Sequence, residues 1–266
     1  MYSDLEAKLH DSFWEQEDII SELPLLEDFH ADKLSLEIGC GSGRLLLPLL
    51  NGGTPIDGIE LSADMVKLLH QNADKQNLTS KLSKQDIHTA DIVDLSSEKL
   101  RKKYERVSIP AFTAQLLSRE GFQDTLKQVI SYTSNDAELY LTLFIPWAEI
   151  AGELNEGDWY VDHEAAVGEA KDAKAVCKTK FSINRLNQSL SRKHHYTVTH
   201  PSGKKQEHRS SQEIQWYSYQ ELKLILEANG WKEKMLITDL ELASATDPEV
   251  GPDPDAHILT IIAKKI

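Results

Sequence analysis

The sequence predicts an α/β fold built on a doubly wound, largely parallel sheet, and three observations carry that prediction. Residues 34–43, Leu-Ser-Leu-Glu-Ile-Gly-Cys-Gly-Ser-Gly, alternate apolar and polar side chains and then break into glycines. They lead into Arg44-Leu-Leu-Leu-Pro-Leu-Leu50, an apolar run of helical length, so the order reads as strand, tight turn, helix. Pro55-Ile-Asp-Gly-Ile-Glu60 reads as a second strand ending in an acid 21 positions after Gly39, the interval at which a parallel strand presents a carboxylate to ribose hydroxyls. Strand-like and helical segments then alternate toward the C-terminus, the order of βα units.

The glycine turn narrows the ligand. Gly39, Gly41 and Gly43, with no Cβ, let backbone N–H groups approach a bound molecule. The helix start behind them offers further N–H groups, suited to a carboxylate or phosphate. The dinucleotide fingerprint needs a third glycine for close helix–strand packing, and counting from Gly39 that place holds Arg44. The pattern present is E-x-G-C-G-S-G, with Glu37 two residues before the first glycine.

This pattern resembles motif I of the class I S-adenosylmethionine-dependent methyltransferases, and the resemblance extends over nearly the whole chain. It implies a Rossmann-like, doubly wound seven-stranded sheet with an antiparallel insert over the active-site face. It implies S-adenosyl-L-methionine as cofactor, S-adenosyl-L-homocysteine as product, and methyl transfer to an N or O atom of a small-molecule acceptor. In that family the loop of Gly39, Cys40, Gly41 and Gly43 lies under the methionine part of the cofactor and the acid at Glu37 helps to hold its amino group. Met65 then packs on the adenine. Gln85-Asp86-Ile87 resembles motif III, so Asp86 and Ile87 are expected to read the adenine edge. Leu61 and Pro110, following the second and fourth strands, complete the cofactor-binding candidates. Ile109-Pro110-Ala111-Phe112 departs from the [Asn/Asp/Ser]-Pro-Pro-[Tyr/Phe/Trp] of DNA amino-methylating enzymes, which argues against a nucleic-acid base as substrate. It also lacks the acid that metal-dependent catechol-type enzymes use.

Composition agrees with a small-molecule enzyme. The 266 residues, 40% hydrophobic and 27% charged, suffice for one large domain with an elaborated insert. A formal charge of -14 disfavours a surface that tracks phosphates, and the basic runs Arg101-Lys-Lys103 and Lys204-Lys205 are short. Two cysteines, Cys40 and Cys177, give neither a disulfide framework nor metal-ligand spacing, so no metal is expected. No basic-then-apolar leader is visible, and the apolar run from Leu139 to Ile150 is too short to span a bilayer. The expectation is a cytoplasmic monomer or homodimer whose partner is a small-molecule acceptor, with no nucleic acid and no membrane.

Along the chain, residues 1–30 read as helical, with Leu5, Leu9 and Phe13 at intervals of four and Ile19, Ile20 and Leu23 continuing the apolar face; the resemblance implies a lid over the cofactor pocket, with Tyr2, Phe13 and Trp14 part of it or docking the helix on the sheet. Residues 31–150 form the cofactor-binding core: a helix after Ser62, a third strand within 80–88 that ends at Asp86, a fourth at 106–112, a helix at 119–131 and a strand at 137–145. Residues 151–216 are the substrate-side insert, a loop or short helix to about 173 followed by an antiparallel hairpin turning at Pro201-Ser-Gly203. Residues 217–266 supply a helix opening at Tyr217-Ser-Tyr-Gln-Glu-Leu222 and two closing strands. The acceptor-side candidates are His195 as general base, Arg185 as carboxylate clamp and Tyr217; alternation points His194 and His195 to opposite faces. Two rivals stand beside this reading: an NAD(P)-dependent oxidoreductase and a non-catalytic S-adenosylmethionine/S-adenosylhomocysteine-binding protein.

Overall fold

The structure, a computed structural model, describes residues 2–14, 22–95, 100, 103–168 and 171–266. In chain order its elements are α1 (Asp4–Trp14), α2 (Leu23–His30), β1 (Ser35–Ile38), α3 (Leu46–Gly52), β2 (Ile56–Glu60), α4 (Ala63–Lys75), α5 (Thr79–Leu82), β3 (Ile87–Thr89), β4 (Tyr104–Ile109), a 3-10 turn (Thr113–Leu116), α6 (Arg119–Tyr132), β5 (Thr133–Phe144), α7 (Trp147–Ala151), β6 (Tyr160–Val167), β7 (Ala173–Asn184), β8 (Ser189–Thr199), β9 (Lys205–Gln215), α8 (Tyr219–Ala228), β10 (Trp231–Thr238), α9 (Ala243–Thr246) and β11 (Ile258–Lys265). They fall into two compact units, one joining α1 to the stretch Trp147–Ile214, the other running from α2 to Pro146 and resuming at Gln215.

The larger unit is the predicted doubly wound sheet, seven strands in the order β10-β11-β5-β4-β1-β2-β3. β1 pairs in parallel with both β2 and β4, so the strand order reverses there, where such sheets bind ligands beyond their carboxyl ends. The last strand, β11, enters antiparallel between β5 and β10. Alternation sorts β1 onto two faces. Leu36 and Ile38 join a core with Phe122, Leu126, Leu222 and Trp231. On the other side Leu26, Phe29, Leu46, Leu49 and Leu69 pack with Tyr140 in a second core. Sheet and two helical layers result.

Ser35, on that second side, meets His30 of α2. The His30 ring is fully buried, with Nδ1 2.9 Å from Ser35 Oγ and Nε2 3.1 Å from Ser108 Oγ. Burial, then the charge of Arg106, lowers its pKa from 6.5 to about 3. The unfolded chain therefore takes up a proton below 6.5 that the folded chain refuses down to about 3, so His30 makes stability fall as pH drops through this window. Denaturant titrations from pH 7 to 5 are expected to show a loss of up to about 1.4 kcal/mol per pH unit below that value, and a His30→Gln protein should lack this component.

The smaller unit is a four-stranded antiparallel sheet, order β6-β7-β8-β9, against which α1 packs with Leu9 and Phe13 on Ala165, Ala175, Cys177, Tyr196 and Val198. Four expectations need correction. The helical segment over residues 1–30 divides: α1 belongs to this unit and α2 to the other, with Pro24 in the first turn of α2 opening a new helix. Ile19 and Ile20 lie outside the described residues, as does the side chain of Trp14. The region to residue 173 holds a strand, β6, after its loop, and the stretch before the Pro201-Ser-Gly203 turn is two strands, β7 and β8, so the expected hairpin is a four-stranded sheet. The acids and histidine of that region hide a strand whose buried face rests on α1. The expected third strand begins later: Thr79–Leu82 is a helical turn with Leu82 buried, and β3 covers only Ile87–Thr89.

Candidate cofactor site

The glycine turn sits at the carboxyl end of β1. Gly39, Gly41 and Gly43 all have positive φ, at 77°, 52° and 82°. A Cβ on Gly39 would lie 2.4 Å from Thr113 Cγ2, and one on Gly43 2.8 Å from Leu47 Cγ, so both are required by packing. At Gly41 a Cβ would meet only Met65 Cε at 3.4 Å and Gly39 O at 3.9 Å, which marks the open side of the loop. Gly58 of β2 makes room for the Cys40 thiol, which a Cβ there would approach to 2.8 Å. Cys40 thus turns its side chain into the core and offers the loop only its backbone.

Four of the loop's N–H groups bond inside the protein. Gly39 and Cys40 both donate to Ile59 O at 2.8 and 3.1 Å, and Gly43 donates to Cys40 O at 2.9 Å. Gly41 N–H donates to Glu60 Oε2 at 3.0 Å, while Glu60 Oε1 accepts from Ser62 N–H at 2.8 Å. The turn is therefore not the open anion cradle expected from its glycines. What faces it is acid. Glu37, inside β1, is buried with Oε2 lacking a hydrogen-bond partner. Burial pushes its carboxyl well above the usual range, the charges of Glu22 and Glu60 push the same way, and Arg44 opposes them. A buried carboxylate oxygen without a hydrogen bond is costly, and a bound cation is a group that offsets the cost.

Glu22, which no motif marks, is another buried acid, and its charge reaches Glu37. Its Oε1 accepts from Ala111 N–H at 2.6 Å, and its Oε2 from Thr142 Oγ at 2.7 Å and Tyr140 hydroxyl at 3.1 Å. An acid one residue before Leu-Pro reads locally as the solvated start of a helix, and no local signal announces partners about 120 residues away.

Glu37, Gly39, Cys40, Gly41, Gly43, Glu60, Leu61 and Met65 are brought together at this edge. Leu61 is about half exposed, and buried Met65 donates its N–H to Ser62 Oγ at 3.2 Å, the N-cap of α4. Pro110 follows β4 and opens a turn in which Ala111 and Phe112 take positive φ. Asp86 is a correction. It precedes β3, and its N–H is held by Asp57 Oδ1 at 2.9 Å, whose other oxygen accepts from Tyr104, the first residue of β4. Asp86 thus lies at the amino edge of the sheet, and Ile87 pairs with Gly58, short of the carboxyl edge. Thr89 is the residue of β3 that pairs with Glu60, and Ala90 N–H donates to Glu60 O at 3.0 Å, so Asp91 is the acid of this segment nearest the loop's edge.

The three acceptor-side candidates are divided between the two units. His195 and Arg185 belong to the smaller unit, Tyr217 to the larger. His195 Nε2 lies 3.3 Å from Glu207 Oε2. Arg185, beyond the end of β7, donates to the carbonyls of Ile150 and Glu149 at 3.1 and 3.0 Å and so caps α7. Tyr217 is buried beside Phe122 under the Arg119 guanidinium, its hydroxyl without a hydrogen-bond partner, and burial pushes its pKa up to about 12. His194 and His195 do face opposite ways: His194 is buried, its Nδ1 2.7 Å from Thr179 Oγ. Asp162, Cys177 and His194 bring metal-type donor atoms within 4.8 Å of one another. The Thr179 hydroxyl stands among them, 2.7 Å from both Asp162 Oδ2 and His194 Nδ1, and completes a hydrogen-bonded relay.

A family model described as a methyltransferase domain matches residues 36–132, from β1 through the glycine loop to the end of α6. Residues 36–132 thus carry the sequence pattern of a methyltransferase domain. The fold of the chain is that of class I S-adenosylmethionine-dependent methyltransferases, and solved structures extend the likeness beyond that domain. The CcbJ methyltransferase from Streptomyces caelestis superposes with a TM-score of 0.72 at 17% identity, over 97% of this chain and 96% of that one. S-adenosylmethionine-bound CalS10, an amino pentose methyltransferase from Micromonospora echinaspora, gives 0.67 at 12% identity over 100% and 98%. The sugar N-methyltransferase KedS8 from Streptoalloteichus sp ATCC 53650 gives 0.66 at 17% over 98% and 95%. No curated protein sequence gives a significant match. Among the described residues no helix is long and apolar enough to cross a membrane.

Proposed function

We propose that this protein is an enzyme that transfers the methyl group of S-adenosylmethionine to an N or O atom of a small-molecule acceptor, releasing S-adenosylhomocysteine. The observation that carries the reading is the acid-faced glycine loop of the methyltransferase domain. An unpartnered oxygen of buried Glu37 suits an ammonium group, and the open side of Gly41 admits the methionine chain. Glu37 would hold the amino group, Glu60 the ribose hydroxyls, and Leu61 and Met65 the adenine side. When bound, the cofactor supplies an electrophilic methyl on a sulfonium. Transfer is an in-line displacement that needs alignment above all, with a base only where the acceptor arrives protonated.

The names of CalS10 and KedS8 make an amino group on a sugar the first acceptor to test. For the base we put His195 first, because Arg185 is engaged by α7 and Tyr217 is held protonated by burial. Calorimetric titration with S-adenosylmethionine, S-adenosylhomocysteine and NAD is expected to show binding of the first two and none of the third. NAD binding alone would revive the oxidoreductase reading. A screen of amino sugars, other amines and alcohols should then yield turnover; binding without any would favour the non-catalytic reading. With an acceptor in hand, His195→Ala should cut turnover and leave cofactor affinity intact.

A further inference from the structure

Glu22 lies on no motif, yet it is the buried acid whose charge acts most strongly on Glu37. It stands just before α2 and is pinned by three donors from two other segments, Ala111 N–H, Thr142 Oγ and the Tyr140 hydroxyl, so it cannot turn out to solvent. Both carboxyls are raised by burial in the first place. The charged groups facing them are Glu60 from the end of β2 and Arg44 from the loop; the Cys40 thiol is close enough to feel Glu37 and Glu60, and Tyr140 comes from β5. Strand register brings Glu22 and Glu37 to one face of the sheet: Glu37 of β1 pairs with Ser108 of β4, Ser108 pairs with Tyr140 of β5, and the Tyr140 hydroxyl donates to Glu22. Burial shifts both carboxyls toward their protonated form, and like charges out of water disfavour ionising both. A tether for the start of α2 would need only an acceptor. A second buried carboxylate beside Glu37 does more, since it doubles the negative charge offered to whatever occupies the loop.

We propose that Glu22 belongs to the cofactor site, forming with Glu37 a two-carboxylate seat for the positive charge of the methyl donor, which the ligand-free protein fills with a proton. This rests on the reading of the glycine loop as the S-adenosylmethionine site. Two consequences distinguish the seat from a tether. Binding releases the shared proton to the buffer, so affinity rises with pH, by up to about tenfold per unit while one proton is released. The seat also favours the substrate form of the cofactor. S-adenosylmethionine carries an ammonium and a sulfonium, S-adenosylhomocysteine an ammonium and a neutral thioether, and an added negative charge in a dry pocket attracts the first more strongly. Glu22 is in this sense a positioning and selectivity residue that touches no acceptor.

The test is calorimetry on the whole chain at pH 6 and pH 8, with both ligands, in two buffers of different ionisation enthalpy. Wild-type protein should release protons on binding S-adenosylmethionine and bind it more tightly than S-adenosylhomocysteine. Glu22→Gln keeps the shape of the side chain; it should bind without proton release and narrow the preference between the two ligands several-fold. Wild-type binding with no proton exchange across this range overturns the proposal, whether or not the variant folds. A folded Glu22→Gln protein with the wild-type preference and proton count makes Glu22 a tether and overturns it equally. If wild-type protein binds neither ligand, it is the methyltransferase reading that fails, a separate result.

Discussion

Gly41→Val should give a protein that folds but no longer binds S-adenosylmethionine. The backbone at Gly41 has φ +52°, where an L side chain costs roughly 1–2 kcal/mol and a branched one somewhat more. Against a domain stability on the order of 5–15 kcal/mol that is tolerable. The new Cβ meets only the flexible tip of Met65 at 3.4 Å and the Gly39 carbonyl at 3.9 Å, both ordinary contact distances. What it occupies is the open side of the loop, where the methionine part of the cofactor belongs. Affinity should fall at least about 100-fold, or roughly 2.7 kcal/mol. Gly39→Val is the contrasting control. There the Cβ would lie 2.4 Å from Thr113, and the clash should be read as lost stability before it is read as lost binding. Melting curves and calorimetric titration of both variants check the pair. A folded Gly41→Val protein with unchanged affinity would take the loop out of the cofactor site.

The parts of this fold that were legible are those whose signal is local. β1 shows strict alternation, and the positive φ of Gly39, Gly41 and Gly43 is why glycine recurs there. Ser62, Ser118 and Ser218 cap α4, α6 and α8 with their side chains, so those helix starts could be read within a few residues. The opposite orientation of His194 and His195 followed from the strand period alone. The failures are non-local. β3 is three residues long at the edge of the sheet, and Thr79–Leu82, within the stretch read as strand, is a helical turn whose one buried side chain is Leu82. Asp86 consequently moved from the carboxyl to the amino edge, where Asp57 holds it. Arg185 looked like a free clamp because the carbonyls it caps come from residues 35 and 36 positions earlier. Glu22 was invisible for the same reason, since what makes it a buried acid is contributed by β5 and the turn after β4.

Glu60→Ala should weaken S-adenosylmethionine and S-adenosylhomocysteine alike, by roughly 1.5–3 kcal/mol, the range for a hydrogen bond to a charged group. Each of its oxygens already takes one backbone N–H, Oε2 from Gly41 and Oε1 from Ser62. A carboxylate oxygen has a second lone pair, so the same group can splint the loop to α4 and still accept from a ribose hydroxyl. The variant therefore loses two things at once, the contact to the ribose and the tie that orders Gly41. Both ligands carry the same ribose and meet the same loop, which is why the two losses should be equal. Stability should change little, because Glu60 is only partly buried and water can serve the freed N–H groups. Glu60→Gln is expected to fall short of wild type as well: its amide nitrogen would face a backbone N–H, donor against donor, at one of the two contacts. Titrations of both variants with both ligands, beside their melting temperatures, decide the matter. A loss confined to one ligand would remove Glu60 from the ribose, and a large drop in melting temperature with unchanged affinity would make it a structural splint alone.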